Sequence, residues 1–237
     1  MLNTQTYSVI QTLKDISDDM IFTYPTMGIS DPNKTIMAYL DLKGLGNDDF
    51  KEFGVMGVKQ YLDLLNIAGK DAEIENKDGV LHIKSSSIGC KYATTNIAIL
   101  EAKNCRAPIA VQGKFESAEQ ALEFTLTAED MDKIKKVASL LKFEDVVITG
   151  ENGNIVLKVD NESQKSSNDF KIQLDGIIND TNIAIVMSVG NIKKLPQGNY
   201  TVRASKNPNN PSNVLVRFDS QNIEGLQFFI ATKAIQK

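Results

Sequence analysis

Four segments of the chain carry hydrophobic residues at helical spacing, and short alternating runs follow each of them. These segments are residues 6–17, 57–68, 129–142 and 188–195. Apolar residues at i, i+3, i+4 and i+7 indicate an amphipathic helix, whereas strict alternation indicates a half-buried strand. After the third segment, "DVVITG", "ENGN" and "NIVLKVDN" are typical of a β-hairpin around a glycine-containing turn. The pattern therefore predicts a helix followed by a hairpin four times over, with further strands between these units.

Each predicted helix has one apolar stripe that must be buried against something else. The stripes are Thr6, Val9, Ile10, Leu13 and Ile16 in the first helix, Val58, Tyr61, Leu62, Leu64 and Leu65 in the second, and Met131, Ile134, Val137, Ala138 and Leu141 in the third. The hydroxyl of Thr127 is predicted to cap the third helix, with Glu129 and Asp130 in its first turn. Helices with a single apolar stripe pack on a sheet, which predicts an α+β fold with helices on one face of mostly antiparallel sheets.

The four units pair into two similar halves. We predict an N-terminal domain at 1–110 and a C-terminal domain at 121–237, each with two helices and about eight strands. The intervening segment contains proline and glycine and shows no clear period, which is typical of a connector. We place this connector approximately at 111–120, with a start as early as residue 104.

Composition narrows the class of protein further. The 237 residues are 42% hydrophobic and carry a formal net charge of −4, so the whole chain has no general attraction to nucleic acid or anionic lipid. The sequence has no apolar run of about 18 residues and no evident signal peptide, and it contains two cysteines, Cys90 and Cys105. We therefore expect a cytoplasmic protein with no membrane contact and no disulfide framework.

Lysines on the predicted helices stand out against this acidic background. Lys136 lies opposite the apolar stripe of the third helix, with Lys135 and Lys142 beside it; Lys59 projects from the second helix, and Lys193 and Lys194 end the fourth. For the third helix alone, a solvated lysine face is the simpler interpretation. If the helices share one face of the protein, however, the lysines form a local basic surface that could contact DNA phosphates.

The sequence offers no group suited to catalysis. His82 is the only histidine and lies in a predicted strand, and one histidine with two distant cysteines makes a poor zinc site. "GLGNDDF" and "GVMGVK" lack the spacing of nucleotide-binding loops. We therefore expect a protein that is not an enzyme and that needs no cofactor or metal.

Three segments resemble one known family, the sliding clamps of T-even-like bacteriophages, which are relatives of the eukaryotic and bacterial replication clamps. "AEDMDKIKKVA" resembles the first helix of the second clamp domain, and "NIKKLPQGNYTVRA" resembles the second helix and the next strand of that domain. "GVKQYLDLLNIAGKDAEIENKDGVLHIKSS" resembles the second helix and hairpin of the first domain. The order and spacing of elements match along nearly the whole chain, although no single motif is sharp.

The resemblance implies a viral processivity factor for DNA replication, acting in the host cytoplasm. Two clamp domains per chain would assemble as a homotrimeric ring around duplex DNA, with helices lining the hole and strands pairing between subunits. An ATP-driven clamp loader would open the ring, and the replicative DNA polymerase would be tethered through its C-terminal peptide. Late-transcription factors are partners of some relatives.

The resemblance also assigns roles to particular residues. Lys136 and Lys194 match positions at which phage clamps carry basic residues, and the full DNA-facing set is Lys136, Lys194, Lys193, Lys135, Lys142, Lys59 and Lys14. A hydrophobic pocket for the polymerase peptide would use Ala107, Pro108, Ile109, Val111, Phe228 and Ile230. Strand alternation allows only alternate members of Phe228–Ile230 to face one side, and core packing is an equally good interpretation of these residues.

Two other classes of function stay open at this point. A non-enzymatic oligomeric scaffold or structural protein without DNA binding could use the repeats to build an assembly, but it has no need of one basic face. A protein that binds single-stranded nucleic acid needs aromatic platforms among basic residues. Aromatic residues make up only 7% of this chain and tryptophan is absent, which disfavours that class.

Overall fold

The chain divides into an N-terminal unit, Met1–Pro108, and a C-terminal unit, Ile109–Lys237. The computed structural model describes residues 4–42, 52–69, 72–160, 170–207 and 210–233, and the side chains of residues 4–7, 207 and 210–213 are outside this description. The division lies two residues before the predicted end of the first domain. The segment predicted as a connector, 111–120, falls inside the C-terminal unit.

Among its described residues, the N-terminal unit combines three helices with short antiparallel strands. In chain order its elements are α1 (Thr4–Leu13), β1 (Met20–Phe22), β2 (Thr26–Ser30), β3 (Ile36–Asp41), β4 (Phe53–Val55), α2 (Val58–Ala68), β5 (Glu73–Lys77), β6 (Val80–Lys84), β7 (Gly89–Ala93) and α3 (Ile97–Ala102). Strand β1 pairs with β4, β2 pairs with β3, and β5, β6 and β7 form a three-stranded sheet in that order. Helices α1 and α2 pack together, and α2 also packs on β6.

The described part of the C-terminal unit has three helices and two larger sheets. Its elements are α4 (Ala110–Glu116), β8 (Glu119–Leu126), α5 (Ala128–Leu141), β9 (Asp145–Glu151), β10 (Asn154–Asp160), β11 (Phe170–Leu174), β12 (Gly176–Ile178), β13 (Ala184–Ser188), α6 (Val189–Lys193), β14 (Tyr200–Asn207), β15 (Asn210–Ser220) and β16 (Leu226–Ala231). One sheet has the order β11-β10-β9-β13, and the other has the order β12-β8-β14-β15-β16. Helix α5 packs on β10 and against α6. The strand pairs within each unit are antiparallel, so the predicted α+β class is confirmed.

The hairpin predicted around "ENGN" is confirmed. Strands β9 and β10 pair in register from Asp145 opposite Asp160 to Glu151 opposite Asn154. Asn152 and Gly153, at the tip, have φ values of 53° and 82°. Two consecutive residues with positive φ are what a tight hairpin turn needs to match the twist of its strands, and asparagine followed by glycine adopts this conformation most readily.

The predicted stripes form most of the helical contribution to the core. Val9, Ile10, Leu13 and Ile16 are buried in and after α1, and the side chain of Thr6 is outside the described residues. In α2 and α5, buried residues from the predicted sets are Val58, Tyr61, Leu62, Leu65, Met131, Ile134 and Ala138. Three predicted core residues differ: Leu64 and Val137 are partly exposed, and Leu141 is 36% exposed near the end of α5.

The sequence pattern did not predict two short helices, α3 and α4. Helix α3 buries only Leu100 and helix α4 buries only Phe115, so neither repeats an apolar residue at helical spacing. Gly113 lies within α4 and lowers its intrinsic helix propensity. The segment predicted as a connector therefore contains most of a helix, whose position depends on contacts with strands far along the chain.

Candidate nucleic-acid interface

Helix α5 and its C-cap residue carry three of the seven candidate lysines: Lys135, Lys136 and Lys142. Its start is fixed by Thr127, whose hydroxyl accepts a hydrogen bond from the Asp130 amide at 3.1 Å, as predicted. Its end is fixed by Lys142, which takes a left-handed conformation with φ of 58° while its amide bonds the Ala138 carbonyl. Because Met131, Ile134 and Ala138 are buried, the lysines are held on the other side of the helix.

Helix α6 brings two more lysines to α5. The Ser188 hydroxyl caps this helix by accepting a hydrogen bond from the Gly190 amide at 3.2 Å. Val189 and Ile192 are buried, which leaves Lys193 exposed and Lys194 partly exposed at the helix end. Since α5 packs against α6, the lysines of the two helices belong to one surface, which we call the basic face: residues 127–142 and 188–194.

Lys135 connects the two helices through a hydrogen bond. Its ammonium donates a hydrogen bond at 2.7 Å to the carbonyl of Leu195, just after α6. Burial lowers the pKa of Lys135, and the nearby Asp132 carboxylate opposes that shift. The sequence predicts that Lys135 faces DNA. In the structure its side chain is half-buried and its ammonium is already hydrogen-bonded, so Lys135 helps to position the basic face and contributes little exposed charge to it.

Lys136 and Lys59 are exposed, but each pairs with an aspartate one helical turn away. The Lys136 ammonium lies 2.6 Å from Asp132, and the Lys59 ammonium lies 2.7 Å from Asp63. Because solvent screens such exposed pairs, a phosphate could exchange with the carboxylate at little cost. Lys133 likewise pairs with Glu129, at 2.7 Å.

The remaining predicted lysines have no close acidic partner in the described part of the chain. Lys142, Lys193, Lys194 and Lys14 have no ion-pair partner among the residues that the structure describes. Lys142 and Lys193 are exposed, whereas Lys194 and Lys14 are partly exposed. Three of these four belong to the basic face, which makes the region around the end of α6 its most available cationic part.

The two units differ in the charge of their helices. The basic face contains six lysines and three acidic residues, a net charge of +3. The corresponding helical segments of the N-terminal unit, 4–16 and 57–69, contain two lysines and two aspartates and are neutral. Asp18 also lies near α2, where its carboxylate accepts a hydrogen bond from the Lys59 amide at 3.4 Å. Local attraction for phosphate is therefore concentrated in the C-terminal unit.

An open, shallow depression runs along the outward side of α5. It is lined by Lys135, Lys136, Val137, Ser139 and Leu140. The Ser139 hydroxyl donates a hydrogen bond to the Lys135 carbonyl at 2.8 Å, and Leu140 is 80% exposed. A surface of this kind suits a charged backbone that passes over it, because it offers cations and no enclosed slot that would read a base edge.

The residues predicted to bind a partner peptide are divided between the units. Ala107 is buried, with its amide bonded to the Gly28 carbonyl at 3.3 Å, and the exposed Pro108 accepts a hydrogen bond from the Tyr39 hydroxyl at 2.6 Å. In the C-terminal unit, Ile109 is 77% exposed and Val111 is partly exposed.

Phe228 and Ile230 are fully buried and are not surface residues. The ring of Phe228 lies edge-on to Tyr200 at 6.2 Å, on the face of the sheet that also carries Phe218. Phe229 points the other way and contacts Phe115 of α4, with ring centroids 5.4 Å apart. Of this triplet, the residue that meets the predicted connector segment is Phe229, because strand alternation places its neighbours on the opposite face.

No described group of three or more histidine, cysteine, aspartate and glutamate side chains is arranged to hold a metal ion. His82 pairs across strands with Glu75 and Lys91 on a solvent-accessible part of the β5–β6–β7 sheet. Within the described ranges, none of the helices is both long enough and apolar enough to span a membrane.

The fold of the whole chain matches a set of solved structures. PCNA from Thermococcus kodakaraensis aligns with a TM-score of 0.67 and 14% identity, over 97% of this chain and 96% of that one. The proliferating cellular nuclear antigen of Entamoeba histolytica aligns with a TM-score of 0.65 and 14% identity, over 96% and 94% of the two chains. The chain has the DNA clamp fold.

A third structure, A. fulgidus PCNA with the C-terminal region of FEN-1 bound, covers 98% of this chain and 96% of its own at 13% identity, with a TM-score of 0.65. No family model matches the sequence, and no characterised protein matches it as a relative. At these identities the likeness to clamps is one of fold, and it extends across both units.

Proposed function

We propose that this chain is a sliding clamp, which encircles duplex DNA and tethers a DNA polymerase for processive synthesis. The alignment of both units with clamp structures over nearly their full length is the observation that carries the proposal. The basic face supports it independently, because an acidic protein that binds DNA must concentrate its cations locally. The function is non-enzymatic: the ring retains DNA by its topology.

The ring is proposed to be a homotrimer. Three chains would place six similar units around the duplex, with the basic face of each chain directed to the hole. Open sheet edges support self-association: β11 pairs with β10 on one side only among the described strands, and β5 and β7 likewise each have one side without a described strand partner. Such edges are prone to pair with another chain, and closure into a ring removes them.

An exposed apolar residue lies on a helix next to one of these sheets. Ile67 on α2 is 65% exposed, and α2 packs on β6, the strand between β5 and β7. The N-terminal unit thus offers open edges together with a helix that carries an exposed apolar side chain, which suits a contact between copies.

The finer assignment follows the sequence resemblance. We place the chain with the clamps of T-even-like bacteriophages, on the strength of the three segments around α2, α5 and α6. On this assignment it is a viral protein of the host cytoplasm, an ATP-driven loader opens the ring, and late-transcription factors are further partners. The polymerase C-terminal peptide is proposed to bind near Ile109 and Val111 of the C-terminal unit, which are exposed and partly exposed.

Light scattering combined with X-ray scattering across a concentration series tests the ring. Three copies of the 26.1 kDa chain should give about 78 kDa and a scattering profile with a central hole. A monomer at all concentrations would refute the ring. An assembly with no hole would favour the scaffold alternative.

Retention on DNA tests the clamp function itself. After loading, the ring should remain on a nicked circular plasmid and slide off the same plasmid once it is linearised. Lys136→Glu with Lys194→Glu should reduce loading while the trimer persists, because both charges lie on the basic face. Lys34→Glu with Lys84→Glu makes the same charge change on exposed residues outside the basic face and should leave loading unchanged.

A further inference from the structure

Arg217 is buried to an extent that is unusual for an arginine. It lies on β15 with only 4% of its side chain exposed. Its guanidinium pairs with the carboxylate of Glu116 through Nη1 and with that of Asp219 through Nε, at 2.9 Å for the second pair. The guanidinium carbon lies 4.7 Å from the centre of the Phe115 ring, within the range of a cation–π contact. Two of these three partners belong to helix α4.

The same helix makes two further contacts with the sheet. Phe115 meets Phe229 of β16 nearly edge-on, at an interplanar angle of 83°. The Gln112 amide donates a hydrogen bond at 2.9 Å to the side-chain oxygen of Gln227, also on β16. Helix α4 is only seven residues long and buries a single side chain, so its position depends on these few contacts.

The two side chains of the Arg217–Glu116 ion pair differ greatly in solvent exposure. The Glu116 side chain is 62% exposed, whereas the Arg217 side chain is almost completely withdrawn from water. Removing a guanidinium from water is expensive, and apolar side chains of similar volume often stabilise a fold as well or better. The arginine instead contributes geometric specificity, because its planar guanidinium and its contact with the aromatic ring define the positions of Glu116 and Phe115.

We propose that Arg217 is a positioning residue that fixes helix α4 on the sheet and thereby presents Ile109 and Val111 to a partner peptide. Ile109 immediately precedes α4 and is 77% exposed, while Val111 lies in its first turn. If α4 shifts, both apolar side chains shift with it. The link to a partner peptide rests on the proposed clamp function, whereas the hold on α4 does not.

Hydrogen exchange of the full chain tests the hold on α4. Arg217→Met should raise the exchange rate of the amides in 110–116 by about tenfold or more, since local opening then has fewer contacts to break. The global urea midpoint should change little, because methionine can fill the buried space. Glu116→Gln, at an exposed position, should raise exchange in the same segment to a smaller extent without any risk to folding.

The matched control is Arg203. It lies directly opposite Arg217 in the register of β14 and β15, and its ion pair is with Glu123 of β8, at 2.8 Å. Arg203→Met removes the same charge from the same face of the sheet, and it should leave exchange in 110–116 unchanged. Equal exchange in wild type and Arg217→Met, or an equal rise in Arg203→Met, would overturn the assignment of Arg217 to α4.

The link to a partner is tested by calorimetry, which measures the affinity of the protein for a synthetic peptide with the sequence of the C-terminal tail of the DNA polymerase from the same genome. Arg217→Met should weaken binding of this peptide by about tenfold, with Arg203→Met and trimer assembly unaffected. Faster exchange with unchanged peptide affinity would overturn the link to the partner site. If the wild-type ring itself does not bind the peptide, the tether in the proposed function fails, and the exchange result still decides whether Arg217 positions α4.

Discussion

Replacing Lys193 and Lys194 with alanine should weaken DNA binding more than replacing Lys135 and Lys136. Neither residue has an ion-pair partner among the described residues, whereas Lys136 is paired with Asp132 and Lys135 bonds the Leu195 carbonyl. The double change lowers the net charge of the face from +3 to +1. Both side chains lie at the surface, so the free energy of unfolding should change by less than about 0.5 kcal/mol.

The size of the effect follows from counterion release. Each lysine that neutralises a phosphate contributes about −0.9 to the slope of log K against log salt concentration. Two lost contacts per engaged subunit should reduce the magnitude of the slope by ~1.8 and weaken binding at 0.1 M salt by about 60-fold relative to a 1 M reference. Between 50 and 200 mM salt, the ratio of the two affinities should change by about tenfold.

Fluorescence anisotropy of a short labelled duplex, measured over a salt series, gives these slopes directly. Lys34→Ala with Lys84→Ala is the control, because it removes the same total charge from exposed positions outside the basic face. The reasoning would be refuted by a double variant whose slope equals that of the wild type. It would also be refuted by a control pair with an equally large effect, since total charge would then explain the result without any basic face.

Three further predictions address the cap, the partner site and the acid limit of stability. Thr127→Ala should lower the free energy of unfolding by about 1 kcal/mol, measured by urea titration, because the first turn of α5 loses its cap; an unchanged midpoint would contradict this. Phe228→Ala should cost about 3–5 kcal/mol of stability by the same assay, whereas Ile109→Ala should be nearly neutral for stability and weaken peptide binding in calorimetry. Interchanged results would mean that the core and surface assignments are reversed. The Lys206 ammonium holds the pKa of the Asp180 carboxyl below its ordinary value, so this pair stabilises the fold above the unfolded-state pKa of about 3.9 and that stability is lost as the pH falls through the folded value. Asp180→Asn should therefore lower stability at pH 7 but have little effect at pH 2, and an equal loss at both values would assign the effect to something other than the charge.

The repeated pattern of helix and hairpin is visible in the sequence because each unit has a strong local signal. The stripe of Val9, Ile10 and Leu13 has the helical period, and the Asn152–Gly153 pair suits a hairpin turn wherever it occurs. The cap at Thr127 is equally local, since donor and acceptor lie three residues apart. These features follow from the sequence itself because neighbouring residues supply every group that they require.

The lysines of the basic face can be identified from the sequence pattern, but their exposure and their hydrogen-bond partners depend on tertiary contacts. Lys135 and Lys136 are adjacent and chemically identical in the sequence. One is half-buried because α6 ends beside it and offers a carbonyl, and the other is exposed with an aspartate one turn away. Only the packing of α5 on α6, which joins residues about 60 positions apart, separates these two roles.

Helix α4 shows where sequence interpretation stops. Its seven residues have no helical period, and the segment resembles a connector. The helix is placed by Arg217, Gln227 and Phe229, which lie about 100 residues later in the chain and come to it only once β15 and β16 are paired. The sequence by itself determined the repeated elements, their buried faces and the concentration of lysine on the helices, because those features depend on local periodicity and charge. Only the tertiary structure decided which lysines remain available, which phenylalanine contacts α4 and that a buried arginine positions this helix. Those features depend on contacts between residues that are distant in the sequence.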